Sequence, residues 1–248
     1  MMHRFFTDNE IDGAGRIRIQ GSDVKHARDV LRMGSGEKLE IVVEGKAYLC
    51  SIIEIGKNIM VAELVQPLER GHESSIKINL FQGLPKSTKM ETILQKATEL
   101  GVSSFYPLLT NRTVVRLKGE KKQDRKLERW ESVVHEAAKQ SKRDTIPKVH
   151  QAIDMSEIEA YLKEGITIVP YEASEDNGIK DVLRSLEVPR TVNIVIGPEG
   201  GFEEDEIDML VSLGARIVSL GPRILRTETA GIVACAIAQY EFGDLGVI

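Results

Sequence analysis

Ile194-Val195-Ile196-Gly197-Pro198-Glu199-Gly200-Gly201-Phe202 and, further on, Ile217-Val218-Ser219-Leu220-Gly221-Pro222-Arg223-Ile224-Leu225-Arg226-Thr227-Glu228-Thr229-Ala230 decide how this chain reads. Each opens on a short β-branched, apolar run, breaks at Gly-Pro and leads into a helical pattern. Two strand ends that deliver glycine-rich backbone to one place build a pocket. Taken singly, either turn reads as a strand-to-helix connection that uses Gly and Pro for geometry alone. The pair, together with the string Arg226-Thr227-Glu228-Thr229, reads as a site.

The pocket is not built for phosphate. Phosphate cradles set glycine amides and a lysine at a helix N-terminus, where the macrodipole favours anions. Here the helix after Gly201 opens with Glu203, Glu204, Asp205 and Glu206, which suit that dipole themselves and repel a phosphate. The loop also lacks the G-x-G-x-x-G spacing and the Walker lysine. The ligand expected is neutral or cationic and held through backbone contacts.

Working outward, strands and helices alternate from residue 76. Ile76–Phe81, Phe105–Leu109, Thr167–Pro170, Val192–Ile196 and Ile217–Leu220 are strand candidates. A helix capped by Ser87 or Thr88 carries Met90, Ile93, Leu94, Ala97 and Leu100 on one stripe and closes at Gly101. A long helix covers Gln123 to Arg143, another holds Ile207 to Leu213, and the last runs from Thr229 to Phe242. This alternation predicts an α/β domain with a mostly parallel sheet. Residues 1–68 read as mostly β, with strands at Arg16–Ile19, Lys38–Val43, Ala47–Ile53 and Asn58–Leu64, and a helix from Asp23 to Met33 with Val24, Ala27, Val30 and Leu31 on one face. Short strands punctuated by Gly34, Gly36, Gly45 and Gly56 predict a small barrel. The polar stretch 66–75 is the linker, so the domains expected are 1–70 and 74–248.

With 248 residues, 42% of them hydrophobic, the chain affords one large or two modest domains with real cores. No apolar run reaches the roughly 20 residues that span a bilayer, and Met1–Asp8 has no signal-peptide h-region; a cytoplasmic protein is expected. Cys50 and Cys235 read as separate buried thiols, and the five histidines show no metal-ligand spacing, so no metal is expected. The net charge of −5 divides unevenly: −2 over residues 1–73, +8 over 74–150 and −11 over 151–248. The basic middle fits a polyanion partner and equally a solvated helix face. Glu136, Gln140 and Arg143, at i, i+4 and i+7, share one helix face flanked by Lys139 and Lys142; Lys86, Lys89, Lys96, Arg112 and Arg116 add to the same charge. Ala230, Gly231, Ala234, Cys235, Ala236 and Ala238 make the last helix rich in small residues, for tight packing on the sheet, for a subunit interface or for a deeply buried chain end. Arg226 is not needed as a cap, since Thr227 or Thr229 can serve; it is a candidate functional group, against the plainer alternative of an ion pair with Glu228.

The two glycine-proline strings resemble the signature of the RsmE family, 16S ribosomal RNA uridine-N3 methyltransferases of the SPOUT superfamily. Lys96-Ala97-Thr98-Glu99-Leu100-Gly101-Val102, Glu136-Ala137-Ala138-Lys139-Gln140-Ser141-Lys142-Arg143 and the opening Arg4-Phe5-Phe6 resemble that family too, so the likeness covers nearly the whole chain. It implies a PUA-like, RNA-binding β-barrel at the N-terminus and a SPOUT-type α/β domain whose C-terminal helix is threaded into a trefoil knot, a topology no pattern reading would propose. It implies a homodimer acting on the small ribosomal subunit, at N3 of the uridine-1498 position of its 16S rRNA, with S-adenosyl-L-methionine as the ligand, a cation without phosphate. Tyr171, Ile196, Gly197, Pro198, Glu199, Gly200, Leu220, Gly221, Ile224, Leu225, Arg226, Thr229 and Ala230 are then the expected cofactor residues. Arg226 is expected to stabilise the uridinate, with Glu228 or Glu199 as the alternative general base. Arg4, Arg32, Lys86, Lys89, Arg112, Gln140 and Arg143 are the expected RNA contacts. Two rivals stand beside this reading, a ribose 2′-O-methyltransferase of the same superfamily and a non-catalytic RNA-binding or ribosome assembly protein; a generic nucleotide-binding enzyme ranks third because of the acidic turn after Gly201.

Overall fold

In the computed structural model the described residues are 2–69, 71–115, 119–174 and 177–247. In chain order the elements are β1 (Arg4–Thr7), β2 (Arg16–Gln20), α1 (Ser22–Lys25), β3 (Lys38–Val43), β4 (Lys46–Ile55), β5 (Ile59–Pro67), β6 (Lys77–Gly83), α2 (Lys89–Glu99), β7 (Ser104–Leu109), α3 (Glu120–Gln140), β8 (Lys148–Val149), β9 (Ile153–Asp154), β10 (Ile166–Pro170), α4 (Ile179–Arg184), β11 (Thr191–Ile196), α5 (Glu204–Ser212), β12 (Arg216–Val218) and α6 (Thr227–Phe242). They form two compact units: residues 1–73 with 138–145, and residues 74–137 with 146–248. The division is therefore not a single cut in the sequence.

In the first unit, β1-β3-β4-β5-β2 form one sheet. β1 pairs parallel with β3 and the other pairs are antiparallel. The two edge strands meet where the Thr7 hydroxyl donates to the Arg18 carbonyl at 3.0 Å, so the sheet curls into a barrel-like form around Phe5, Ile17, Leu39, Ile41, Cys50, Ile52 and Met60. β1 escapes pattern reading because it is four residues long and its partner lies more than thirty residues away. The helix expected from Asp23 to Met33 is mostly a π turn, His26–Val30, following α1. The wider turn keeps Val24 and Ala27 inside but rotates Val30 outward, where it is 65% exposed.

The unit closes on the segment 138–145. Arg4 is buried; its Nε pairs with Glu40 at 2.8 Å, its Nη1 with Asp144 at 2.7 Å, and it also donates to the Lys142 and Arg143 carbonyls. Arg143 forks onto Glu73, Nε to Oε1 at 2.9 Å and Nη2 to Oε2 at 2.6 Å. Buried Lys139 bonds Asp23 at 2.9 Å. Burial pushes Glu73 and Glu40 up, but Arg143 in the first case and Lys142 with Arg4 in the second outweigh it, and both carboxyls lie below the ordinary range.

In the second unit a fully parallel sheet runs β12-β10-β11-β6-β7-β8, with β9 also on β7. Both faces are covered, as parallel sheets require. On one side Ile78, Leu80, Phe105, Ile168, Val192, Ile194 and Val218 pack with residues of α2, α3, α4 and α6. On the other, Phe81, Leu108, Val169 and Val195 pack with Leu210 of α5 and with the 3₁₀ helix Met155–Tyr161. The small residues of α6 serve the packing reading: Ala234, Cys235 and Ala238 are in the core, and a Cβ on Gly231 would come within 2.9 Å of Gln82 Oε1. Burial pushes the free thiols of Cys50 and Cys235 up to about 12. No helix among the described residues is long and apolar enough to cross a membrane.

Candidate cofactor and acceptor site

Ligands of open parallel sheets sit outside the carboxyl ends of the strands, where the strand order reverses. Here β6 and β11 are central neighbours whose connections leave in opposite directions along the sheet. Their ends touch closely: a Cβ on Gly83 would fall 2.4 Å from Pro198 N, so only glycine fits there. Thr227, at the start of α6, ties both ends together. Its hydroxyl donates to the Gly197 carbonyl at 2.6 Å and accepts from Gln82 Nε2 at 2.9 Å, while Gln82 Nε2 also donates to the Gly83 carbonyl. The first glycine turn is closed by Gly201 N–H on the Pro198 carbonyl, with Gly201 at φ 69°; the second is held by Gly221 N–H on Ser219 Oγ, with Gly221 at φ 112°.

Between the two turns lies a cleft of two adjoining lobes. The larger, ≈ 390 Å³, is walled by Ile196, Gly197, Pro198, Glu199, Phe202 and Arg226 among others; the smaller, ≈ 80 Å³, by Tyr171, Ser219, Leu220, Gly221 and Arg223. Pro170, Glu172, Ile224, Leu225 and Ala230 border both. The size suits a nucleoside-sized ligand, and the walls mix apolar side chains and turn backbone with charged groups. Eleven of the expected cofactor residues, Tyr171, Ile196, Gly197, Pro198, Glu199, Leu220, Gly221, Ile224, Leu225, Arg226 and Ala230, are therefore brought to one place. Gly200 and Thr229 are not. Gly200 backs onto Arg112, whose Nη1 donates to its carbonyl at 2.9 Å, and Thr229 is exposed on α6. Nor does either threonine cap α6: Arg226 occupies that position without a side-chain bond, and Thr227 is turned inward. Glu172, Pro170 and Phe202 line the site without having been singled out, and Thr227, read as a candidate cap, lines it as well. The side chains of Pro170 and Phe202 look in sequence like ordinary core residues, and Glu172 like a surface acid.

The charges around the cleft are sorted. Lys89 Nζ lies 3.1 Å from Glu199 Oε1 and 3.2 Å from Glu228 Oε2, and the Glu199 carboxylate also accepts the Lys86 amide at 3.1 Å. Partial burial pushes Glu199 up, but Lys89 and the nearby amides outweigh it and hold its carboxyl below the usual range; Glu199 and then Glu228 raise Lys89. The side chain of Arg226, by contrast, is exposed and makes no hydrogen bond or ion pair with a described residue. The plain Arg226–Glu228 pair does not form.

The expected RNA contacts divide. Arg32, Lys86 and Gln140 are exposed. Arg112 is exposed but forked onto Glu203 at 2.8 and 2.9 Å, and Lys89 is committed to its two carboxylates. Arg4 and Arg143 are corrections, each 3% exposed with its guanidinium spent on internal carboxylates. Arg143 does not share a helix face with Glu136 and Gln140, because α3 stops at Gln140. Lys142 is left-handed, φ 62°, and the Arg143 amide returns to the Ala138 carbonyl at 3.0 Å, closing the helix without a glycine to announce it. Arg116 lies outside the described residues.

A family described as RNA methyltransferase domain matches residues 72–239, and one described as RNA methyltransferase PUA domain matches 19–65. Ribosomal RNA small subunit methyltransferase E of Bacillus subtilis is 33% identical over 97% of this chain and 97% of its own length. The chain belongs to the ribosomal RNA small subunit methyltransferase E family. The protein of that name from Aquifex aeolicus is 32% identical over 95% of this chain and 98% of its own. Among solved structures, methyltransferase E of Neisseria gonorrhoeae bound to S-adenosyl methionine superposes with a TM-score of 0.84 at 31% identity, covering 99% of this chain and 100% of that one. A methyltransferase from Legionella pneumophila, also with the cofactor bound, gives 0.88 at 32% identity, covering 98% and 99%. The fold class is that of the methyltransferase E family, a parallel α/β methyltransferase unit preceded by a curled PUA-like sheet. The packing of α6 on β6, β11 and α2 is consistent with the SPOUT knot.

Proposed function

We propose that this protein uses S-adenosyl-L-methionine to methylate N3 of a uridine, the uridine-1498 position, in the 16S rRNA of the small ribosomal subunit. One observation carries the site assignment: Arg226 stands unpaired on the wall of the cleft while the carboxylate two residues on is held by Lys89. The cleft fits the cofactor in chemistry as well as size, since it offers apolar walls, turn backbone and carboxylates, and no phosphate cradle. When bound, the cofactor supplies an electrophilic methyl group on a sulfonium.

Ile196, Leu225 and Ala230, with the Gly197 and Gly221 turns, would hold it; the Gln82–Thr227–Gly197 relay fixes the turn beforehand, so orientation costs little at the moment of reaction. Uridine N3 is a poor nucleophile until its proton leaves, and the resulting charge spreads over O2 and O4. A guanidinium presents a planar fork of donors to such oxygens, and stabilising that charge is worth more in the transition state than in the ground state. Glu199 is a weak base in that role because Lys89 holds its carboxyl low, so the N3 proton passes to solvent water as the methyl group arrives.

Residues 1–73 with 138–145 serve in this reading as the RNA-binding unit, and 74–137 with 146–248 as the catalytic one. Arg32, Lys86, Arg112 and Gln140 are the remaining polar contacts offered to RNA. α6 also leaves a stripe of Val233, Ala236 and Tyr240, the last 68% exposed, which supports a homodimer formed on this face; sedimentation at micromolar concentration reads it, and a monomer there removes that part of the proposal. A substrate of ribosomal RNA goes with a cytoplasmic protein in this reading.

The test is incubation of the protein with labelled methyl donor and small subunits that lack the modification, followed by nucleoside analysis. 3-Methyluridine supports the proposal. A 2′-O-methylated nucleoside, or binding without turnover, overturns it in favour of one of the two rivals.

A further inference from the structure

The carboxylates around the cleft are not equivalent. Glu199 and Glu228 share the ammonium of Lys89 at 3.1 and 3.2 Å. Glu172, two residues beyond β10, borders both lobes, is exposed, and makes no hydrogen bond or ion pair with a described residue. Its Oε1 rests against the first glycine turn, where a Cβ on Gly201 would stand 2.9 Å away. The absence of a side chain at 201 is what leaves room for this carboxylate. Once Lys89 has neutralised its neighbours, Glu172 is the carboxylate on the wall of the cleft, among the described residues, left without an ion pair; Arg112 acts on it only from a distance, its guanidinium being forked onto Glu203.

We propose that Glu172 is the counter-ion for the ammonium group of the methyl donor's amino-acid arm, an inference that rests on the reading of the cleft as a cofactor site. The donor carries two positive charges, and the two call for different protein groups. The sulfonium charge disappears as the methyl leaves. A carboxylate placed to stabilise it would hold the ground state more tightly than the transition state and slow transfer. The ammonium keeps its charge throughout, so a carboxylate at that end adds binding without raising the barrier. Glu172 occupies the exposed border common to both lobes, whereas Arg226 lies on the wall of the larger lobe alone. The rim position suits the solvated amino-acid end rather than the reacting sulfur.

Calorimetric titration of wild type and Glu172→Gln with three probes tests this. S-adenosylmethionine has both charges, S-adenosylhomocysteine keeps the ammonium and lacks the sulfonium, and 5′-methylthioadenosine has neither. The expected result is about tenfold weaker binding of the first two, the scale of one charge-assisted hydrogen bond at a partly exposed site, with the third within about twofold of wild type. Steady-state kinetics should show KM for the donor raised in the same proportion and kcat unchanged. Unchanged affinity for the first two overturns the inference. So does loss for the methyl donor alone, which would put Glu172 at the sulfonium, or equal loss for all three, which would make it structural. Failure of wild type to bind any of the three defeats the cofactor reading itself, a result distinct from these.

Discussion

Replacing Thr227 by valine keeps the shape of the side chain and removes one hydroxyl, and the structure sets what that should cost. Thr227 is 6% exposed. Its hydroxyl gives the Gly197 carbonyl a bond of 2.6 Å and takes one of 2.9 Å from Gln82 Nε2. Valine leaves one N–H of the fully buried Gln82 amide without an acceptor, because its other bond goes to the Gly83 carbonyl. It also leaves the Gly197 carbonyl, at the edge of the cleft, to whatever water reaches it. Each stranded group costs about 1–3 kcal/mol, with the half-buried carbonyl near the lower end, so the pair sums to about 3 kcal/mol. For a domain of this size each kcal/mol lowers Tm by roughly 2–4 °C, and a fall of about 9 °C is expected. The single tryptophan, Trp130, is in the core beneath the parallel sheet and reports on that unit by fluorescence. Thr227→Ser restores the hydroxyl and should lose less than about a third as much. Because the relay fixes the Gly197 turn, Thr227→Val should also weaken cofactor binding while Thr227→Ser does not. Equal melting temperatures for the two variants would refute the relay as a source of order in the site.

Arg226→Ala should lower kcat by about 10²–10³, leave cofactor affinity within about twofold and leave Tm unchanged, since the side chain has no internal partner to lose; near-normal turnover would dismiss the role of Arg226. Neutralising Arg32 and Lys86 together should flatten the dependence of RNA affinity on salt by up to about two phosphate contacts, read as the slope of log K against log salt. Arg143→Gln should instead leave that slope alone and cost about 1–3 kcal/mol of stability, because Glu73 loses the guanidinium but keeps the Asp144 and Thr145 amides. The acid response follows from Glu73, whose folded-state carboxyl is held below its unfolded value of about 4.3. A depressed carboxyl stabilises fully above the unfolded pKa and loses that stabilisation as pH falls through the folded one. The calorimetric Tm gap between wild type and Glu73→Gln should therefore be widest at neutral pH and shrink below about pH 4; a constant gap would count against the pair.

How far the sequence could be read depended on whether a signal was local. The alternation from residue 76 gave the parallel sheet because each strand carries its own apolar run, and Gly101 announced the end of α2 because it sits in the left-handed region itself. Lys142 takes the same conformation with nothing in its chemistry to mark it, so the end of α3 was read three residues too late and Arg143 was placed on a helix face it does not share. Arg4 and Arg143 looked like free cations for a related reason. A charge count cannot see Glu40, Glu73 and Asp144, which reach them only after the chain folds.

The site shows the same limit from the other side. Gly197 and Gly221 were legible as turns, and their likeness to each other was enough to place them together. The residues that make the turns into a cleft speak across long separations: Gly83 against Pro198, Gln82 against Thr227, Gly201 against Glu172. None has a local signature, since a glycine at a strand end, a buried glutamine and a surface glutamate are each ordinary alone. Lys89 decides the chemistry in the same way. By taking up Glu199 and Glu228 it leaves Glu172 as an unpaired anion and Arg226 and Arg223 as unpaired cations on the cleft wall, Arg226 on the larger lobe and Arg223 on the smaller, which supplies both polarities, for an acceptor that becomes negative and a donor that arrives positive.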